Sequence, residues 1–153
     1  MARVLVTGMS GAGKSTLLGE LARRGFETVD TDYGGWELPD GTWDEPRMTA
    51  LLARHPTLAV SGTVPNQGRF YGRFDQVVLL SAPVEVLLER VARRVNNPYG
   101  KTAEQREEIR RYVVEVEPLL RPGATVELDG RRPVTELADA VVSLLQPAGA
   151  EHD

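Results

Sequence analysis

Short apolar runs alternate with longer stretches of helical periodicity along the chain. Val4-Leu5-Val6, within residues 3–7, is unbroken and stops at Gly8, which reads as a strand buried on both faces. Over 14–24, Leu17, Leu18, Leu21 and Ala22 recur at helical spacing, and Gly25 can close that helix. Residues 26–30 form a second strand, so strand, helix and strand make a right-handed parallel crossover. A helix over 45–54 turns Met48, Leu51 and Leu52 inward, and a strand follows over 57–61. The polar segment 65–73 holds at most a short helix before a fourth strand over 76–80. A helix over 84–95 collects Val84, Leu87, Leu88, Val91 and Ala92 on one face. Thr102, with Gln105 three residues on, caps a helix expected to run to about Leu120. A strand over 124–128 and a helix over 134–145 complete the set.

Five strands alternating with helices predict an α/β fold, a three-layer α/β/α sandwich. One domain is expected over 1–147, with a lid at about 95–102 and a frayed tail at 148–153. Ligands of such sheets sit at the carboxyl ends of the strands. The loops at 8–15, 30–44, 61–73 and 129–133, with the 95–102 break, are therefore where the chemistry is expected.

Composition narrows the classes. The 153 residues are 41% hydrophobic and 26% charged, which suits one globular domain. Cysteine is absent, so disulfides, thiolate nucleophiles and cysteine zinc sites are excluded. His55 and His152 are too few and too isolated for a histidine metal site or a triad. A net charge of −4 without a basic run argues against a dedicated nucleic-acid binder. No apolar stretch nears the roughly 20 residues of a membrane span. The N-terminus carries no signal-peptide pattern, so a cytoplasmic location is expected. Composition leaves the oligomeric state open.

Gly8-Met9-Ser10-Gly11-Ala12-Gly13-Lys14-Ser15 matches G-x-x-x-x-G-K-[ST] in full, between a buried strand and a helix. Gly8, Gly11 and Gly13 let successive backbone amides, with that of Ala12, turn toward phosphate. The helix start adds its positive dipole end. Lys14 supplies a full charge at the β/γ-phosphates, Ser15 a hydroxyl for Mg²⁺, and Thr16 supports the loop or the α-phosphate. ATP and Mg²⁺ are the expected cofactors.

Asp30-Thr31-Asp32 places two carboxylates at the end of the second strand, and positions i and i+2 of an extended segment share a face. One can hold Mg²⁺, directly or through water. The other can accept a proton or hydrogen bond from a substrate hydroxyl.

On these two elements the chain resembles the shikimate/gluconate kinase group of nucleoside-monophosphate-kinase-like P-loop proteins. The resemblance implies a five-stranded parallel sheet in the order 2-3-1-4-5 and ATP-dependent phosphorylation of a small molecule. It assigns Mg²⁺ to Asp30 and the acceptor to Asp32. It also fits Ser61 in place of a Walker B acid, with Gly62 in the turn that follows. Arg90, Arg93 and Arg94 precede the 96–101 break where the group carries an arginine-bearing lid. Residues 129–133, with Arg132 and Pro133, stand where an Arg-x-Pro-like element flanks adenine. Two departures argue against shikimate as the acceptor: only Gly62 remains of a triple-glycine turn, and no arginine clearly matches the acceptor-binding one, although Arg47 is nearby.

Arginine suits charge spread over a transferring phosphoryl group. Arg94, nearest the break, is the first candidate, with Lys101 a second lid cation. The same residues read equally as a solvated basic face opposing Glu85 and Glu89. Thr63, Asn66, Gln67 and Arg69 can contact phosphates or an acceptor. Trp36 and Trp43 can stack on a sugar or base, or cover the sheet edge. Glu115, Glu117 and Glu127 read as solvated charges. The leading expectation is a kinase acting on a small polar metabolite, with Lys14, Asp32 and Arg94 catalytic. A nucleoside or nucleic-acid-end kinase and an ATP-binding switch with slow hydrolysis are the alternatives.

Overall fold

The apolar runs pair into one parallel sheet. In the computed structural model, which describes residues 2–95 and 97–147, the strands are β1 (Arg3–Thr7), β2 (Thr28–Asp30), β3 (Leu58–Ser61), β4 (Gln76–Ser81) and β5 (Val126–Asp129). The expected tail at 148–153 and position 96 of the expected lid lie outside the described residues. The helices are α1 (Lys14–Arg23), α2 (Glu45–Arg54), α3 (Val84–Arg93), α4 (Ala103–Glu115), α5 (Glu117–Leu120) and α6 (Val134–Leu145), with a 3₁₀ segment at Gln67–Arg73. The strand order is β2-β3-β1-β4-β5, as expected, with Leu5 opposite Val60 on one side and Val77 on the other.

Alternate residues of each strand feed opposite layers. Val4, Val6, Ala59 and Val78 pack against Leu17 and Leu21 of α1 and Leu137 and Val141 of α6. Leu5, Leu58, Val60 and Val77 pack against Met48, Leu51 and Leu52 of α2, together with Trp43 and Phe70. A strand buried on both sides has no room for polar positions, which is why β1 reads as a continuous apolar run.

Where element ends differ from the sequence pattern, the cause is local hydrogen bonding. β2 starts at Thr28 instead of Phe26, because Phe26 N donates to Leu21 O at 3.1 Å and Gly25 N to Ala22 O at 3.0 Å, closing α1 in a Schellman turn. α3 stops at Arg93, and the Lys101 ammonium donates to the carbonyl of Ala92 in its last turn and to that of Arg94 just past it. The helix expected to run to Leu120 is two helices. Pro118 has no N–H for the Val114 carbonyl and its ring crowds that position, so α4 ends at Glu115 and α5 restarts after Val116. Thr102 caps α4 as expected, accepting from Gln105 N at 3.1 Å, but the Gln105 side chain accepts from Gly100 N instead of reaching back to Thr102. Glu117 is buried, with 8% of its surface exposed, and pairs with Arg121 at 3.3 Å, so it is not the solvated charge its sequence context suggests.

Candidate active site

The phosphate loop leaves β1 and turns into α1 over Gly8 to Ser15. Gly13 is the N-cap at φ 106°, and Gly11 has φ 87°. A Cβ at Gly11 would lie 2.6 Å from the Leu87 carbonyl oxygen, so α3 packs directly on the loop. Amides of the first turn of α1 have no partner within the helix, which leaves them for an anion. Lys14 Nζ donates to Gly8 O at 2.6 Å and to Met9 O at 3.3 Å. Desolvation lowers the Lys14 pKa from its ordinary 10.5, against the opposing charges of Asp32 and Asp30.

Arg90 clamps this loop from α3. Its Nη1 donates to Gly11 O and Ala12 O, each at 3.3 Å, and its Nη2 to Gly130 O at 2.7 Å. The guanidinium therefore ties the phosphate loop to the turn after β5. A cleft of about 270 Å³ opens here, lined by Lys14, Ser15, Asp32, Tyr33, Arg90 and Arg94, together with Thr16.

The acidic pair is held by the residue between its members. Thr31 is 1% exposed; its N donates to Ser61 O at 3.0 Å and its Oγ1 to the same carbonyl at 2.8 Å. Trp43 Nε1 donates to Thr31 Oγ1 at 2.9 Å. With Thr31 turned inward just past the end of β2, Asp32 lines the cleft and Asp30 lies beside it, against Ser15. Ser15 Oγ donates to Asp30 Oδ2 at 2.5 Å, and Asp32 N to Asp30 Oδ1 at 3.1 Å. Two hard oxygens thus meet at one point beside the loop. Among the described residues no group of three or more His, Cys, Asp or Glu could cage a metal. Mg²⁺ characteristically takes one or two protein oxygens and completes its shell with phosphates and water, so Ser15 and Asp30 fit it. Desolvation raises the Asp32 carboxyl above its ordinary value; Lys14 opposes the shift and Asp30 adds to it.

A second cleft, of about 870 Å³, adjoins the first and shares Ser10, Lys14 and Asp32 with it. Thr63 and Gln67 line it from one side. Thr63 Oγ1 accepts from Gly8 N at 3.1 Å and donates to Gly8 O at 2.7 Å. Gln67 is buried, accepting from Val64 N at 2.9 Å and donating to Thr7 Oγ1 and Tyr71 OH.

Other expected contacts go elsewhere. Trp43 is 1% exposed and packs edge-on to Phe70, so its ring is core. Trp36 lies beneath the Arg47 guanidinium, 3.8 Å from the ring centroid, and lines neither cleft. Gly62 is sealed under Trp43 and Thr31. Asn66 binds the backbone of Trp43 at both N and O and the carboxylate of Glu45. Arg69 is exposed and lies 3.6 Å from Glu45. Arg132 pairs with Glu136 at 3.4 Å and Pro133 caps α6; neither lines a cleft. The Ala12 side chain is in the core. Arg93 is exposed and pairs with Glu89, whereas Arg94 faces the first cleft, with Nη2 donating to Tyr99 O at 3.0 Å.

The sequence reading missed Ser10, Glu37, Tyr99, Glu108 and Tyr112, all of which line the second cleft. Glu108 and Tyr112 stand four apart on α4, which was a legible pairing. That their face meets the phosphate loop depends on how α4 packs.

The AAA domain family matches residues 4–111. A shikimate kinase of Nitrobacter winogradskyi is 30% identical over 92% of this chain and 75% of its own length. The shikimate kinase from Acinetobacter baumannii, solved with shikimate, superposes with a TM-score of 0.68 at 24% identity, covering 95% of this chain and 93% of that one. A gluconokinase from Sinorhizobium meliloti superposes with a TM-score of 0.61 at 19% identity, over 94% and 91% of the two chains. The two superpositions establish a common fold. Among the described residues no helix is long and apolar enough to cross a membrane.

Proposed function

Because the chain belongs to the shikimate/gluconate kinase-like P-loop kinases of the AAA domain family, which makes it an ATP-dependent small-molecule kinase, we propose that it transfers the γ-phosphoryl group of ATP, with Mg²⁺, to a hydroxyl of a small polar metabolite. The observation that carries this reading is the junction of the two clefts. A nucleotide on the 8–15 loop and an acceptor in the larger cleft would meet at Lys14 and Asp32.

Each residue's part follows from its chemistry. Lys14 and the first-turn amides of α1 balance charge on the β- and γ-phosphates. Ser15 and Asp30 would hold Mg²⁺, which when bound would supply charge that neutralises the phosphates. Asp32 orients the acceptor hydroxyl and takes its proton as the new O–P bond forms and ADP leaves. A carboxyl raised above its ordinary value is a better base for that task. Arg94, at the edge of the nucleotide cleft, offers charge to the transferring group. Catalysis is positioning and charge without a covalent intermediate.

The test is ADP release with MgATP, with and without pooled hydroxyl acceptors. Turnover should rise with an acceptor and collapse in Lys14→Ala. Asp32→Asn should keep ATP affinity while losing about 10²- to 10⁴-fold in transfer, the range for a general base. Full turnover in Lys14→Ala, or ATP hydrolysis indifferent to every acceptor, would refute the proposal.

A further inference from the structure

The larger cleft is poor in positive charge. Among the described residues its ionisable acidic and basic groups are Asp32, Glu37 and Glu108 against Lys14. Lys14 belongs to the phosphate loop, so beyond it the lining of the cleft contributes carboxylates and no basic side chain. The neighbouring arginines stand outside that lining. Arg111, half exposed outside the cleft, divides itself between Glu108 at 3.9 Å and Glu115 at 4.0 Å, long and solvated pairs that neutralise Glu108 only weakly. Arg94 faces the nucleotide cleft. Arg69 reaches toward Glu45. Burial and the like charge of Asp32 both push the Glu37 carboxyl up, so a cation arriving here would relieve repulsion.

The rest of the lining is aromatic and apolar. Tyr71, Tyr99 and Tyr112 contribute ring surface and hydroxyls; Tyr99 OH donates to Glu108 and Tyr71 OH accepts from Gln67. Val116, with Leu119 and Leu120 of α5, adds an aliphatic wall. An acceptor carrying a carboxylate would face acidic groups with no arginine in the cleft lining to receive it. A protonated amine would find charge-assisted acceptors and aromatic surface.

We propose that the phosphoryl acceptor is an amine-bearing hydroxyl compound, an amino alcohol or amino sugar, with its ammonium toward Glu37 and Glu108 and its hydroxyl at Asp32. This rests on the kinase reading above. The hydroxyl proton passes to Asp32, the acceptor oxygen bonds to the γ-phosphorus, and the bond to ADP breaks. The amine stays protonated and is not itself phosphorylated.

The experiment is ADP release by the full chain with MgATP and three matched acceptor pools. One holds amino sugars and amino alcohols, one glucose and galactose, and one gluconate and shikimate. The amine pool should stimulate turnover at least about tenfold more than the carboxylate pool, the factor expected from one charge-assisted hydrogen bond. Mass spectrometry should find the phosphate on oxygen. Glu108→Gln and Glu37→Gln should each raise the acceptor KM about tenfold with a smaller change in kcat. Glu37→Arg should move preference toward carboxylate acceptors. Turnover with the neutral or carboxylate pool equal to or above the amine pool overturns the acceptor class and leaves the kinase reading standing. Stimulation by no pool overturns the kinase reading, and this inference with it.

Discussion

Replacing Thr31 by valine isolates how the acidic pair is held. Valine has nearly the same shape, so the change removes an oxygen without opening a cavity. Thr31 Oγ1 is both the acceptor for Trp43 Nε1 at 2.9 Å and a donor to Ser61 O at 2.8 Å. Ser61 O keeps the Thr31 amide at 3.0 Å. The indole N–H, on a side chain 1% exposed, would have no partner among the described residues. An orphaned buried donor costs about 1–3 kcal/mol, so the expected loss is about 2 kcal/mol. For a domain of this size that lowers Tm by about 4–8 °C. Thermal unfolding should show the drop, and Thr31→Ser, which keeps the oxygen, should recover most of it. In a Trp43→Phe background, where no indole N–H exists, Thr31→Val should cost clearly less; that coupling is the diagnostic. Additive effects, or a Tm within about 1 °C of the native chain, would refute the idea that this hydrogen bond secures the turn.

Three further changes test other parts of the site. Gly62→Ala would drive its Cβ into Thr31 Oγ1 and within 3.3 Å of Trp43 Nε1, so it should destabilise by about 1–3 kcal/mol in denaturant unfolding; an unchanged midpoint would show that the turn yields. Arg90→Ala frees the loop carbonyls of Gly11 and Ala12 from the Gly130 turn and should weaken ATP binding in calorimetry, about tenfold for a lost charge-assisted clamp; unaltered affinity would make the clamp incidental. Arg23 and Arg24 hold the Glu20 carboxyl down at about 2 from an ordinary 4.5. A folded-state pKa below the unfolded one adds stability above pH 4.5 that is lost as pH falls toward 2. The stability gap between the native chain and Glu20→Gln should therefore close over that window, and a gap independent of pH would contradict it.

The sequence by itself determined the parts of this protein that rest on local pattern. A strand buried on both faces must be a continuous apolar run, and a loop that wraps phosphate needs glycine where φ is positive. Val4-Leu5-Val6 and Gly11, Gly13 and Lys14 were therefore legible at once. Asp30 and Asp32 were legible as a pair, but β2 ends at Asp30, and a turn in which Tyr33 N donates to Asp30 O and Asp32 N to Asp30 Oδ1 sets their relation instead of strand alternation. Pro118, which breaks the helical pattern after Glu115, is a local signal of the same kind. Tertiary structure decided what the loop aromatics and arginines do. Nothing in the spacing of Trp36 and Trp43 distinguishes a ring over a ligand from one in the core. The buried hydroxyl of Thr31, thirty residues from its carbonyl partner at Ser61, draws Trp43 inward. Arg90 and Arg94 share a helix face in sequence and both line the first cleft, yet packing ties Arg90 to the phosphate-loop carbonyls and Arg94 to the Tyr99 carbonyl. The carboxylates of the larger cleft come from segments as far apart as Asp32 and Glu108, and only the docking of α4 beside the phosphate loop brings them together. Local periodicity governs which face an element buries; which remote face it meets is fixed by the packing of the whole sheet.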